Sequence, residues 1–337
     1  MMRLPPFTLK TPRTIAEGAQ WLADAPADTM LLAGGTDLVP NMKRKQQTPK
    51  TVISLRTLAA LREIRNGTGL TIGAGATLTQ IVNDVKIRAA APGLWQAAAQ
   101  IATPHLRNMG TLGGNLCLDT RCNYYNQTYE WRKAIDFCLK KDGKICWVAT
   151  ASKRCVAVSS TDTAPALIAL DAAVTLVSSG GEREVKVADL FKNDGIEYLS
   201  RRPDEILTEV KVPAGWKSTY WKLRRRGSFD FPILGVAVAL KFEKDVISDA
   251  RMALGAVASR PFLVEKAGEF LKGKTLSDEV IAHAAELAAN RAKPMDNTDM
   301  DLYWRKEVTD DFAGYALREL RGDDMSAVRM RIARQLV

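Results

Sequence analysis

Met30-Leu31-Leu32-Ala33-Gly34-Gly35-Thr36-Asp37-Leu38-Val39-Pro40 decides how the opening of this 337-residue chain is read. A short apolar run stops at a glycine pair and restarts as something new. That pattern predicts a buried strand, a glycine turn and a second element. Working outward, Thr14 is placed to cap a helix over residues 14–25, where Ile15, Ala19 and Leu22 fall at helical spacing. Residues 51–55 and 70–73 read as further strands, and residues 78–102 as mostly helix, interrupted at Pro92-Gly93. Strands alternating with helices predict an α/β domain.

A second glycine segment follows: Arg107-Asn108-Met109-Gly110-Thr111-Leu112-Gly113-Gly114-Asn115-Leu116. Its crowded glycines predict a loop whose backbone N–H groups converge, which is how such loops hold phosphate. A tight turn with no ligand is the alternative. Two such segments beside apolar sequence point to a nucleotide-type ligand. Neither is G-x-G-x-x-G, because Leu78 stands where Gly73-x-Gly75 would need its third glycine, and neither contains Gly-Lys-Ser/Thr. Rossmann and P-loop readings are therefore unsupported.

Cys122, Cys138, Cys146 and Cys155 come next, and Cys117 is the only other cysteine. The first residues show no secretory signal, and no stretch approaches the roughly 18 apolar residues of a membrane span. The chain is therefore placed in the cytoplasm, where disulfides are uncommon. The spacing C-x15-C-x7-C-x8-C contains no C-x2-C, so it fits neither a ferredoxin nor a zinc ribbon. An iron–sulfur cluster, a zinc site and unliganded thiols all stay open. An excursion from Cys117 to Ser159 without clear periodicity needs a reason to be ordered, and a metal centre would supply one.

Only two histidines exist, His105 and His283, which leaves little from which to build a His-rich metal site or a Ser-His-Asp triad. No residue is assigned a catalytic role. The net charge of +10 fits a solvated basic surface or an acidic protein partner. Nucleic acid is disfavoured because no recognition motif is present.

Composition shifts near Pro213-Ala214-Gly215. Beyond it, residues 220–225, 233–242 and 250–257 read as strands, with a hairpin turn at Glu243-Lys244-Asp245. Helices are expected at about 261–272, 276–291 and 304–320, and the charged tail after Gly322 is expected to lie peripherally. Strands followed by helices predict an α+β domain.

With these motifs in place, the chain resembles the FAD-binding medium subunits of the xanthine dehydrogenase and carbon monoxide dehydrogenase family. The resemblance runs from Pro6-Phe7 to about Gly322. It rests on Leu31 to Leu38, Ile72-Gly73-Ala74-Gly75-Ala76-Thr77, Gly110 to Asn115, Asp204-Glu205-Ile206-Leu207 and Ala253-Leu254-Gly255-Ala256-Val257-Ala258. It implies an α+β fold: a two-part α/β FAD-binding domain of the vanillyl-alcohol-oxidase (PCMH-like) type over residues 1–215, split near residue 57. A C-terminal domain over residues 216–337 would hold a three-stranded antiparallel sheet and helices. By motif, Leu31, Leu32, Ala33, Gly34, Gly35 and Thr36 would wrap the FAD pyrophosphate. Gly110, Thr111, Leu112, Gly113, Gly114 and Asn115 would form the second wall. Ile101, Asp162, Leu207 and Lys222 match further FAD-contacting positions. Asp162 could instead cap the helix that follows, and Lys222 could be a solvated strand lysine.

Ordinary family members pass from the Gly-Gly-Asn segment almost directly to Asp162-Thr163-Ala164-Pro165. Here about 40 residues intervene, at roughly 117–158. The insert resembles that of 4-hydroxybenzoyl-CoA reductase β subunits, which carries a [4Fe-4S] cluster. The resemblance implies Cys122, Cys138, Cys146 and Cys155 as ligands, with Cys117 left to pack as a small hydrophobe. It implies a heterotrimer, in a dimer of heterotrimers, with a molybdenum-cofactor subunit and a subunit holding two [2Fe-2S] clusters. It also implies ferredoxin as electron donor for reductive dehydroxylation to benzoyl-CoA. The alternative is the FAD subunit of another molybdenum hydroxylase with a zinc-bearing or metal-free insert. The insert's basic residues, Lys140, Lys141 and Lys144 among them, are expected to form a collar that docks the acidic ferredoxin.

Overall fold

The computed structural model describes residues 3–334, and its strands form three sheets. Thr8–Lys10 (β1), Thr29–Leu32 (β2) and Thr51–Ser54 (β3) pair in parallel, in the order β1-β3-β2. Parallel neighbours need crossovers, and the helices Ile15–Asp24 and Leu38–Lys43 supply them. Thr14 caps the first as expected, its Oγ1 accepting from the Glu17 N–H at 3.1 Å. Ala19 and Leu22 on that helix bury against Ile53 and Ile206.

The second sheet holds Ile64–Asn66 (β4), Gly69–Gly73 (β5), Ala173–Ser178 (β6), Gly181–Lys186 (β7) and Ile206–Pro213 (β8). Its order is β4-β5-β8-β6-β7 and every pair is antiparallel. Strand–helix alternation thus holds only over the first sheet. The helices Leu78–Asn83, Val85–Ala90 and Pro92–Ala99 arrive as a block rather than one per crossover. Leu94, Ala97 and Ala98 share a core with Ile72, Val174 and Val210 of the sheet.

The third sheet corrects an expectation. It has four strands, Lys217–Leu223 (β9), Leu234–Glu243 (β10), Val246–Gly255 (β11) and Phe262–Leu263 (β12), in the order β12-β11-β10-β9. The fourth is two residues long, too short for a period-two pattern to show, and it displaces the start of the next helix to Glu265–Leu271. The alternation along β10 explains the layering. Val236 and Val238 pack beneath the helices Asp278–Arg291 and Leu302–Arg321, together with Ala284, Phe312 and Leu317. Ala237 and Ala239 face the other way and join the core of the second sheet. Small side chains there admit the close approach of the helix Thr163–Ala169. The charged tail is a helix, Ser326–Arg334, clipped down by Arg329, which stacks 4.0 Å over the Trp221 ring and donates to Glu319. Among the described residues no helix is long and apolar enough to cross a membrane.

The insert is closed at its neck. Arg121 and Val158 exchange both backbone hydrogen bonds at 2.8 Å. Inside, Thr128 caps a short helix, Tyr129–Ala134. The buried Arg132 ties that helix to the chain after Lys43 by donating to the Arg44 and Lys45 carbonyls at 3.0 and 3.2 Å. Asn297, just before the long helix of the C-terminal part, accepts from the Asn123 N–H and donates to the Val156 carbonyl.

Candidate functional site

The two glycine segments lie against each other. A Cβ on Gly34 would fall on the Met109 carbonyl, so glycine at 34 lets the segments close, and Gly35 takes φ +75° to turn the chain. The second segment is not the expected loop. Thr111 caps a five-residue helix, Leu112–Leu116, its Oγ1 accepting from the Gly114 N–H at 3.1 Å. Beside this junction lie two adjoining cavities of about 290 and 360 Å³, both walled by Leu31, Ala33, Thr111, Gly114 and Tyr198.

Most of the expected residues line this cleft: Leu31, Ala33, Gly34, Gly35, Thr36, Ile101, Gly110, Thr111, Gly113, Gly114, Asn115, Asp162 and Leu207. Leu32, Leu112 and Lys222 do not. Leu32 alternates away and packs with Leu38, Met42 and Val52, while Leu112 is fully buried in the main core. Asn115 holds the wall together: its Oδ1 accepts from Thr161 Oγ1 at 2.8 Å, the Thr163 N–H at 3.1 Å and Thr163 Oγ1 at 2.7 Å.

Asp162 precedes a helix, but its side chain makes no cap. Instead Tyr220 donates to its Oδ1 at 2.9 Å, and Lys222 Nζ stands 3.0 Å from the same oxygen. Lys222 is not solvated; it is buried behind Asp162 and also donates to the Gln100 carbonyl at 3.2 Å. Burial pushes Asp162 up and Lys222 down, and the charge of each opposes the shift of the other.

Several lining residues were not expected at this cleft, Arg121 being expected only as one of the insert's basic residues. Arg121 pairs with Asp37, donates to Asn41 Oδ1 at 3.3 Å and lies 4.7 Å over the Phe231 ring. Burial lowers its pKa to about 10. Asp37 sits inside the first glycine motif and could have been singled out as its acidic end. Tyr198, Phe229 and Phe231 arrive from distant segments and carry no local signal.

Comparison with known proteins places these features. Residues 5–215 match the FAD binding domain in molybdopterin dehydrogenase, and residues 218–320 match the CO dehydrogenase flavoprotein C-terminal domain. The chain belongs to this family. It is an FAD-binding medium subunit of the molybdenum hydroxylases.

The medium subunit is 31% identical to the FAD-binding subunit of Escherichia coli aldehyde oxidoreductase over 302 residues, covering 85% of this chain and 93% of that one. It is 29% identical to the nicotinate dehydrogenase FAD-subunit of Eubacterium barkeri, covering 89% and 91%. A solved structure of carbon monoxide dehydrogenase from Hydrogenophaga pseudoflava superposes with TM-score 0.77 at 26% identity, covering 94% of this chain and 98% of that one. Such relatives are subunits of dehydrogenases and oxidoreductases, and the medium subunit is likewise part of an oxidoreductase that binds FAD.

Within the medium subunit's insert, Cys122, Cys138, Cys146 and Cys155 are all free and buried, and they line one cavity with Tyr125, Lys140 and Ala157. Cys117 lies apart, on the wall of the long cleft. Burial raises the Cys122 thiol to about 12 and Cys155 to about 11, so a positive centre would be needed to draw the thiolate from each of these two. Among the described residues no three His, Cys, Asp or Glu side chains gather closely enough to hold a single metal ion.

The basic collar is smaller than expected. The Lys140 side chain is 6% exposed and paired with Asp119 at 2.8 Å, and Arg121 and Arg132 are also buried. Lys133, Lys144, Lys153 and Arg154 remain at the surface. His105 is exposed and lines neither cavity.

Proposed function

We propose that this chain is the FAD and [4Fe-4S] subunit of a molybdenum-dependent 4-hydroxybenzoyl-CoA reductase. Electrons from ferredoxin would pass through it to partner subunits holding two [2Fe-2S] clusters and the molybdenum cofactor. There the para hydroxyl of 4-hydroxybenzoyl-CoA would be removed to give benzoyl-CoA. The observation that carries the reading is the convergence of four buried cysteines on one cavity, within an insert anchored beside the FAD cleft. Four thiolates are the ligand set of a [4Fe-4S] cluster.

In this reading residues 1–215, with the insert at about 117–158, form the FAD-binding domain, and residues 216–337 the C-terminal domain. Leu31–Thr36 would wrap the FAD pyrophosphate, and Gly110–Asn115 would form the second wall of the site, with more backbone donors. Ile101 and Leu207 offer apolar contact, and Asp162, fixed by Tyr220 and Lys222, presents a carboxylate edge. Bound FAD takes electrons singly and passes on two, which joins one-electron carriers to later steps. Lys222, Leu32 and Leu112 support this wall from behind.

Iron, sulfide and EPR analysis of the anaerobically purified complex tests the cluster, with Cys138→Ser and Cys117→Ser compared. The expected result is loss of the cluster signal in Cys138→Ser alone. Zinc, or no metal, in the unaltered complex rejects the cluster and favours the FAD subunit of another molybdenum hydroxylase. Benzoyl-CoA formation with reduced ferredoxin as donor tests the substrate.

A further inference from the structure

Lys140 lies two residues from Cys138 and lines the cysteine cavity, yet none of its protons is left over for a thiolate. They go to Asp119 Oδ1 at 2.8 Å, Thr120 Oγ1 at 2.8 Å and the Gly195 carbonyl at 2.6 Å. An ammonium has three N–H donors, so this one is saturated and fixed. The Tyr125 and Tyr198 rings lie 4.7 and 5.5 Å from it, and Tyr125 Oη donates to Asp119 Oδ2 at 3.0 Å. Both members of the ion pair are buried, with side chains 6% and 5% exposed.

The pair also has a direction. Lys140 and Tyr125 line the cysteine cavity, whereas Asp119 and Tyr198 line the FAD cleft. The cationic residue therefore lies on the thiol side and the anionic residue on the cleft side. Gly195 locks the arrangement from outside the insert. Its N–H donates to the Cys155 carbonyl at 2.9 Å, and a Cβ there would stand 2.6 Å from Cys155 Sγ. A buried charge is screened far less than a surface one, so its field reaches the cysteine centre.

We propose that the Lys140–Asp119 ion pair sets the reduction potential of the four-cysteine centre, Lys140 easing the arrival of an electron and Asp119 opposing it. The inference rests on the [4Fe-4S] reading above. Reduction adds one electron, given up by a one-electron donor, with no ligand lost and no proton required. The added negative charge lies beside the ammonium, which stabilises it. Both residues act as positioning residues through their field rather than by touching a cofactor.

An EPR-monitored redox titration of the holo complex, reduced by dithionite through mediators, tests this. Lys140→Gln is expected to lower the equilibrium constant for adding the electron about tenfold, which for a one-electron couple is about 59 mV downward. Asp119→Asn is expected to shift it upward. Lys140→Arg, which keeps the charge, and the exposed Lys144→Gln are expected to match the unaltered complex. Iron and flavin are measured on each variant. If Lys140→Gln fails to hold iron, Asp119→Asn decides: an upward shift supports the proposal and no shift overturns it. Iron-replete variants with unmoved potentials, or with shifts of the same sign, overturn the inference and leave the cluster reading intact. An unaltered complex without iron overturns the cluster reading, and the inference falls with it.

Discussion

Asp162 and Lys222 occupy positions that neither could hold alone. Both side chains are buried, and each charge is the other's main compensation, with Tyr220 and the Gln100 carbonyl completing the hydrogen bonds. Breaking such a pair costs roughly 3–5 kcal/mol, because the partner left behind is a buried, unmatched charge. Lys222→Met is therefore expected to destabilise the protein by that order at neutral pH. The pH dependence has a definite sign. Without Lys222, burial outweighs what remains to hold the carboxylate, the Tyr220 hydrogen bond and the Arg224 charge, and keeps the folded pKa of Asp162 above the unfolded value of about 3.9. An acid raised in this way contributes stability below the unfolded pKa that is lost as pH rises through the folded one. The gap between Lys222→Met and the unaltered chain should widen from about pH 4.5 to pH 7.5. Urea unfolding at both pH values measures it, and a gap independent of pH would rule out the stranded carboxylate as its cause. Flavin content of the same variant reports whether the Asp162 edge of the cleft depends on its support.

At the scale of elements, the segment between β7 and β8 acts as a latch on the insert. Gly195 presses against Cys155 Sγ and bonds to its backbone, and Tyr198 from the same segment reaches the cleft wall. Gly195→Ala forces a methyl into that contact, an overpacking worth about 1–3 kcal/mol. Under the proposed function the expected outcome is reduced iron content with flavin retained, measured as metal and flavin per subunit; equal loss of both would mean that the latch serves the whole fold. Nothing in the sequence marks Gly195, because it stands in neither glycine-rich segment and its partner lies 40 positions earlier. The strands around Leu31, Ile53, Ile72 and Val238 were legible, since their apolar runs end at turn residues and bury on one or both faces. The two-residue strand Phe262–Leu263 was not, because pairing with Ala253 and Leu254 creates it, not a local pattern. The helix Ser326–Arg334 was hidden by its charges, one of which, Arg329, turns inward onto Trp221. The glycine motifs located the cleft but misstated their own conformation. Thr111, read as a loop residue, is the cap that turns Leu112–Leu116 into helix.

Across the whole molecule, the net charge of +10 is unevenly committed. Three basic residues of the insert, Arg121, Arg132 and Lys140, are consumed inside the fold, by Asp37, by two backbone carbonyls and by Asp119. Reversing Lys140 would break a buried pair and says nothing about docking. The insert's residues that remain exposed include Lys133, Lys144, Lys153 and Arg154, together with Trp131, Ile145 and Trp147, which flank Cys138 and Cys146 in sequence. Cations around exposed aromatic groups suit an acidic protein: the charges steer the encounter and the apolar groups hold the docked state. Under the proposed function that partner is ferredoxin. Replacing Lys144, Lys153 and Arg154 together with Glu is expected to slow second-order reduction by ferredoxin about tenfold at low ionic strength and to flatten its salt dependence. Reduction by dithionite, which needs no docking, should be unaffected. Stopped-flow measurement over a range of salt concentrations separates the outcomes. An unchanged rate and salt slope would remove this surface as the docking site, and a loss of assembled complex on size-exclusion chromatography would assign it to a partner subunit instead.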